Sequence, residues 1–187
     1  ALIELSGIPL WKRATDRLSP MVGKLAVTGR DAPAWLEAVP DMVFVPDIDL
    51  DGRPVGPAGG LLAALEYGAR EIGQDAEVLT IPIDAPYFPS DLYDRLSRAR
   101  GEAPAAIAQA GARLQPAFGL WSCRLAGEVR ECVMQGTFAL HTIADHVGAV
   151  KVSFDTAEDA FVNINTPEEL QQAEALASKR DLPKRSS

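Results

Sequence analysis

The chain has 187 residues, 47% of them hydrophobic, and a formal net charge of −8. That is enough for one domain with a real core, expected over residues 1–180, with the polar end at 181–187 as a frayed tail. The negative balance excludes nonspecific partnership with nucleic acid or an anionic membrane surface.

No apolar run approaches the roughly 18 residues of a membrane span, and nothing at the start reads as a signal peptide, so a cytoplasmic location is expected. Cys123 and Cys132 form no Cys-x-x-Cys pair and read as reduced, packed thiols, with neither a disulfide nor a zinc site suggested.

Residues 1–10 start on an apolar run with no preceding strand or polar lead-in. A helix is expected over 9–18, with Leu10, Ala14, Arg17 and Leu18 at helical spacing, followed by short strands at 25–28 and 42–45. Asp47, Asp49 and Asp51 then share a loop. Their spacing lacks the rest of a calcium loop, and Asp47, nearest the strand end, is the one to set beside a ligand.

Gly56, Pro57, Gly59 and Gly60 come next, at the entrance to a helix expected over 60–72. Glycines there either let backbone approach a ligand, with N–H groups facing it, or simply make a turn with Pro57 near the helix start. The pattern is neither a P-loop nor Gly-x-Gly-x-x-Gly.

Residues 78–83 read as a buried strand that stops at a single carboxylate, Asp84, and is cut off by Pro86 and Pro89. An acid at the carboxyl end of a strand in an α/β sheet either meets a ligand and its metal ion or caps the turn. Ser90 stands where the N-cap of a helix over 90–99 belongs.

An antiparallel pair over 105–109 and 114–121, helices over 125–135 and 138–145, a strand over 149–154 and a helix over 167–179 complete the order. Strands alternating with crossover helices indicate a three-layer α/β/α, Rossmann-like domain with a mostly parallel mixed sheet.

Before the last helix, Thr166, Pro167 and Glu169 form a capping box. Asn163 and Asn165 fall outside it. At i and i+2 in extended chain they face one side, so they either converge on a ligand or help the turn. His141 and His146 stand alone on apolar stretches and read as packed or surface residues. Trp11, Trp35 and Trp121 read as core or its margin.

The segments Ser6-Gly7-Ile8-Pro9-Leu10, Gly56-Pro57-Ala58-Gly59-Gly60, Thr80-Ile81-Pro82-Ile83-Asp84-Ala85-Pro86, Gln115-Pro116-Ala117-Phe118-Gly119 and Asn163-Ile164-Asn165-Thr166-Pro167 occur together in this order. In that combination the chain resembles the molybdenum cofactor guanylyltransferase family, of the nucleotidyltransferase superfamily, over nearly its whole length. The resemblance implies transfer of GMP from GTP to molybdopterin, giving molybdopterin guanine dinucleotide and pyrophosphate.

It further implies Mg²⁺, with Mn²⁺ as the alternative, on the catalytic Asp84. Asp47, Gly56, Pro57 and Gly60 would lie with Asp84 at the nucleotide, and Asn163 and Asn165 at molybdopterin. Transient contacts with other cofactor-synthesis proteins and acceptor molybdoenzymes are implied as well.

The sequence departs from the family in three places. Ala58-Gly59 stands where Leu-Ala is commoner, Val27-Thr28-Gly29-Arg30 lacks the usual asparagine, and the family's glycine-rich phosphate loop would end where Ala1 begins. A first strand and that loop, with its arginine and lysine, are therefore expected either upstream of residue 1 or lost by truncation, which would leave the chain inactive. Two other functions share these motifs: a sister nucleotidyltransferase such as a molybdopterin cytidylyltransferase, and a noncatalytic nucleotide-sensing domain.

Overall fold

Strand Ala105–Ala110 is apolar at five of its six positions, and its side chains serve two cores in turn. Ala105 and Ile107 join one cluster while Ala106, Ala108 and Ala110 join the other, as a period of two requires when both sheet faces are covered. The computed structural model, which describes residues 3–154, 158–164, 166, 168–171 and 173, is layered on that alternation.

In chain order come the hairpin β1 (Glu4–Leu5) and β2 (Ile8–Pro9), helix α1 (Leu10–Leu18), strands β3 (Leu25–Gly29) and β4 (Met42–Pro46), and the hairpin β5 (Asp49–Leu50) and β6 (Arg53–Pro54). Helix α2 (Pro57–Glu71), strand β7 (Glu77–Thr80) and helix α3 (Leu92–Arg100) follow. The strand above is β8, and after it come β9 (Arg113–Ser122), α4 (Ala126–Met134), α5 (Leu140–His146) and β10 (Val150–Phe154). Among the described residues no helix is long and apolar enough to cross a membrane.

Four strands pair in the order β10-β8-β9-β7, with β10 parallel to β8 and β9 antiparallel to both neighbours. β7, β8 and β10 therefore run one way, so their carboxyl ends share an edge. β3 and β4 form a separate parallel pair, and α2 packs on both groups of strands. Among the described residues β3 and β7 each have one hydrogen-bonded neighbour.

Leu62, Leu65, Val129, Ile143 and Trp121 fill the layer under α2, α4 and α5. Phe88, Leu92, Leu96, Phe118, Phe154 and Phe161 fill the opposite one under α3, with Phe118 meeting Phe161 edge-on at 4.9 Å. The expected three-layer arrangement with a mixed sheet is thus the one observed.

Several element ends differ from the sequence expectation. β7 stops at Thr80 rather than 83, because its register with β9 sets Thr80 against Gly119. Two steps further the ladder would meet Pro82 and three steps further Pro116, opposite Ile83, and neither has an N–H to give. In residues 1–10, Ser6 and Gly7, at φ 51° and 74°, turn β1 into β2.

α2 begins three residues early because Pro57 suits a first helical position. α3 begins at Leu92 with Asp91, not Ser90, at the cap, since the Leu92 amide turns back to the Pro89 carbonyl at 3.1 Å. Of the last helix, residues 168–171 and 173 are helical. Pro167, the remainder and the 181–187 tail lie outside the described residues.

Candidate functional site

Asp47 follows β4, and its amide donates to the Gly29 carbonyl of β3 at 2.9 Å, so the two parallel strand ends hold it in place. The Thr28 hydroxyl bonds to its carboxyl. α2 closes the third side: a β-carbon added at Gly60 would stand 2.8 Å from Thr28 Oγ1 and 3.1 Å from Asp47 Oδ1. Shielding from water pushes the Asp47 carboxyl above its ordinary value, and the Thr28 hydrogen bond pulls it partway back.

The glycine loop serves the protein itself before any ligand. A β-carbon at Gly59 would lie 2.3 Å from the Ile48 carbonyl oxygen, and the Gly59 amide already donates to the Gly56 carbonyl at 3.0 Å. Gly59 and Gly60 thus clear space for the protein's own chain, the turn after β4 at Gly59 and the Thr28 and Asp47 side chains at Gly60. Gly56 is different. It is exposed, with φ 62° and ψ −149°, a region open essentially to glycine alone.

Asp49 and Asp51 leave this group. Asp51 and Gly52, with φ 53° and 76°, form the turn of the β5–β6 hairpin, and Asp49 accepts the Gly52 amide at 3.0 Å. The Asp-Gly pair was the signal for that turn.

Asp84 follows β7 at the edge shared by the carboxyl ends of β7, β8 and β10, and it is half-buried. Its carbonyl accepts the Ile164 amide at 2.9 Å, which sets Asn163, also half-buried, beside the Asp84 loop. Thr166 and Glu169 form the expected capping box, with reciprocal bonds of 3.1 and 3.0 Å. Asn165 lies outside the described residues.

Among the described residues no three His, Cys, Asp or Glu side chains gather into a metal cage. A lone carboxylate at a strand end still fits a hard divalent ion of the kind held by one or two acids and the phosphates of its substrate. Asp84 is one described side chain that could hold such an ion.

His141 and His146 are exposed, and His146 lies 3.5 Å from Glu128. Cys123 and Cys132 are buried thiols, their pKa raised first by that burial and further by nearby glutamates, Glu77 at Cys123. Sequence reasoning recorded Thr28 as a missing asparagine and passed over Arg13, whose guanidinium holds the Leu5 carbonyl. The parallel pairing of β3 with β4 is the signal that places Thr28 next to Asp47.

Residues 1–150 match the model of a MobA-like NTP transferase domain. The chain is similar to the molybdenum cofactor guanylyltransferase of Cereibacter sphaeroides, at 37% identity covering 96% of this chain and 88% of that one. It is similar to the molybdenum cofactor guanylyltransferase of Serratia proteamaculans (strain 568) at 33% identity, covering 95% and 88%.

In fold it is similar to the molybdopterin-guanine dinucleotide biosynthesis protein A of Archaeoglobus fulgidus, with a TM-score of 0.73 and 21% identity, covering 95% and 90%. A similar fold is that of 2-C-methyl-D-erythritol 4-phosphate cytidylyltransferase from Thermus thermophilus, with a TM-score of 0.67 and 17% identity over 95% and 93%.

Proposed function

The chain belongs to the MobA-like NTP transferase domain family, and from that premise we propose that it transfers GMP from GTP to molybdopterin. An oxygen of the molybdopterin phosphate forms a bond to the α-phosphorus of GTP. The bond from that phosphorus to the bridging oxygen breaks, and pyrophosphate leaves with the electron pair. The products are molybdopterin guanine dinucleotide and pyrophosphate. Such a transfer needs positioning and charge neutralisation more than covalent help, which accords with the lack of a nucleophile–base pair among the described residues of the site.

A divalent ion, Mg²⁺ with Mn²⁺ as the alternative, would supply charge neutralisation at the α-phosphate and the leaving pyrophosphate when bound. Asp84 would hold it. Asp47 meets the guanine nucleotide, with Gly56, Pro57 and Gly60 beneath it, and Asn163 and Asn165 are the residues assigned to molybdopterin binding. Hand-over to acceptor molybdoenzymes by transient contact, in the cytoplasm, completes the proposal.

One observation carries guanylyl over cytidylyl transfer: identity above 30% with guanylyltransferases over nearly the whole chain, where the likeness to a cytidylyltransferase is one of fold. The test is a panel of nucleoside triphosphates with molybdopterin and Mg²⁺. Dinucleotide and pyrophosphate should form with GTP. Equal turnover with CTP moves the chain to the cytidylyl branch, and no turnover with any triphosphate leaves the sensing domain.

A further inference from the structure

Three segments far apart in sequence meet in a small apolar cluster beside Asp84. Leu5 and Leu10 are fully buried there and Ile164 is 2% exposed, with Ile3, Tyr87 and Leu170 packed around them. Tyr87 adds a hydrogen bond from its hydroxyl to the Ala173 carbonyl at 3.3 Å. The N-terminal hairpin, the Asp84 loop and the Asn163 segment thus share one contact, and the Ile164 amide closes it on the Asp84 carbonyl.

The hairpin itself is too short to stand alone, since an isolated two-stranded ribbon is marginal in water. A polar tie adds to its apolar contacts. Arg13, in the second turn of α1, directs Nε and Nη2 to the Leu5 carbonyl oxygen at 3.1 and 2.7 Å. Two charge-assisted bonds on one carbonyl make a stronger hold than a neutral pair would.

We infer that Arg13 is a positioning residue for the transfer proposed above: its grip on the Leu5 carbonyl keeps Leu5 wedged against Ile164, and so keeps Asn163 against the Asp84 loop. The kinetic consequence rests on that proposed function; the clamp itself does not. An ordinary tie that only stabilises the hairpin predicts something else, namely a loss of stability shared by the whole domain.

The test uses the full chain with Arg13→Met and Arg13→Lys. Amide exchange is followed at Ile164 and, for reference, at Ile107 in the central strand. Arg13→Met should speed exchange at Ile164 on the order of tenfold with Ile107 unchanged. Arg13→Lys should restore part of the protection, because an ammonium still reaches a carbonyl but as a single point donor.

In steady-state transfer the KM for molybdopterin should rise about tenfold while that for GTP stays within about twofold. Unchanged exchange at Ile164, or equal acceleration at Ile107, overturns the inference. So do two KM values that fail to separate. Should Arg13→Met fail to fold, Arg13→Lys must still speed Ile164 exchange selectively, and its failure to do so overturns the inference as well. If the unaltered protein transfers no GMP, the proposed function falls, and exchange at Ile164 decides the clamp on its own.

Discussion

The Ile164 amide donates to the Asp84 carbonyl at 2.9 Å, so the acid that ends β7 and the segment leading into the last helix are one unit of backbone. That bond uses the main chain of Asp84 and leaves its carboxyl available to a cation. Asp84→Asn keeps the backbone bond and the side-chain shape while removing the charge a hard ion requires. Metal-dependent transfer should fall by at least about 10²- to 10³-fold with the thermal midpoint unchanged. Near-normal turnover at matched Mg²⁺ would remove the ion from this residue.

Asn163 sits on the other side of the same bond, and the cap at Thr166 and Glu169 accounts for the turn without it. Asn163→Ala should therefore raise the KM for molybdopterin about tenfold, the loss of one good hydrogen bond, and leave GTP binding alone. A lower thermal midpoint with kinetics unchanged would make Asn163 a turn residue.

Much of this was legible beforehand, for physical reasons. Apolar runs such as 105–110 and 114–121 match a buried strand pair because the period of two survives on both faces. The strand end at Asp84 was legible from its prolines, although the last pairing was not, since it depends on where Pro116 falls across the ladder. The glycine loop was half legible: Pro57 and Gly56 announce a helix start, but that Gly59 meets Ile48 and Gly60 meets Asp47 follows only from the crossing of α2 over β4. The clamp by Arg13 was not legible at all, because nothing in residues 1–13 reveals that Leu5 will lie against Ile164.

Asp47 offers a pH test. Its carboxyl titrates above the ordinary 3.8, chiefly through shielding, so the folded state holds its proton where the unfolded chain has released it. The sign follows: this group favours folding at low pH, and that contribution is lost as pH rises through the folded value. Asp47→Asn should flatten the fall. Thr28→Val, which deletes the opposing hydrogen bond, should move the Asp47 carboxyl further upward when followed by carbon NMR. A downward move would mean that Thr28 does not hold the carboxylate.

Gly59 and Gly60 separate stability from function. In Gly59→Ala the new methyl would meet the Ile48 carbonyl at 2.3 Å, a backbone atom that cannot step aside, so α2 must shift on β4. A cost of about 1–3 kcal/mol or more in unfolding free energy is expected. In Gly60→Ala the methyl meets side-chain oxygens, Thr28 Oγ1 at 2.8 Å and Asp47 Oδ1 at 3.1 Å, and both can rotate away. The fold should lose less, about 1 kcal/mol, while the carboxyl swings off its position. Gly60→Ala should thus raise the KM for GTP at a nearly unchanged denaturation midpoint, and Gly59→Ala should lower the midpoint first. Chemical denaturation and initial-rate kinetics on the two variants check this together, and a Gly60→Ala protein with normal GTP kinetics would detach Asp47 from nucleotide binding.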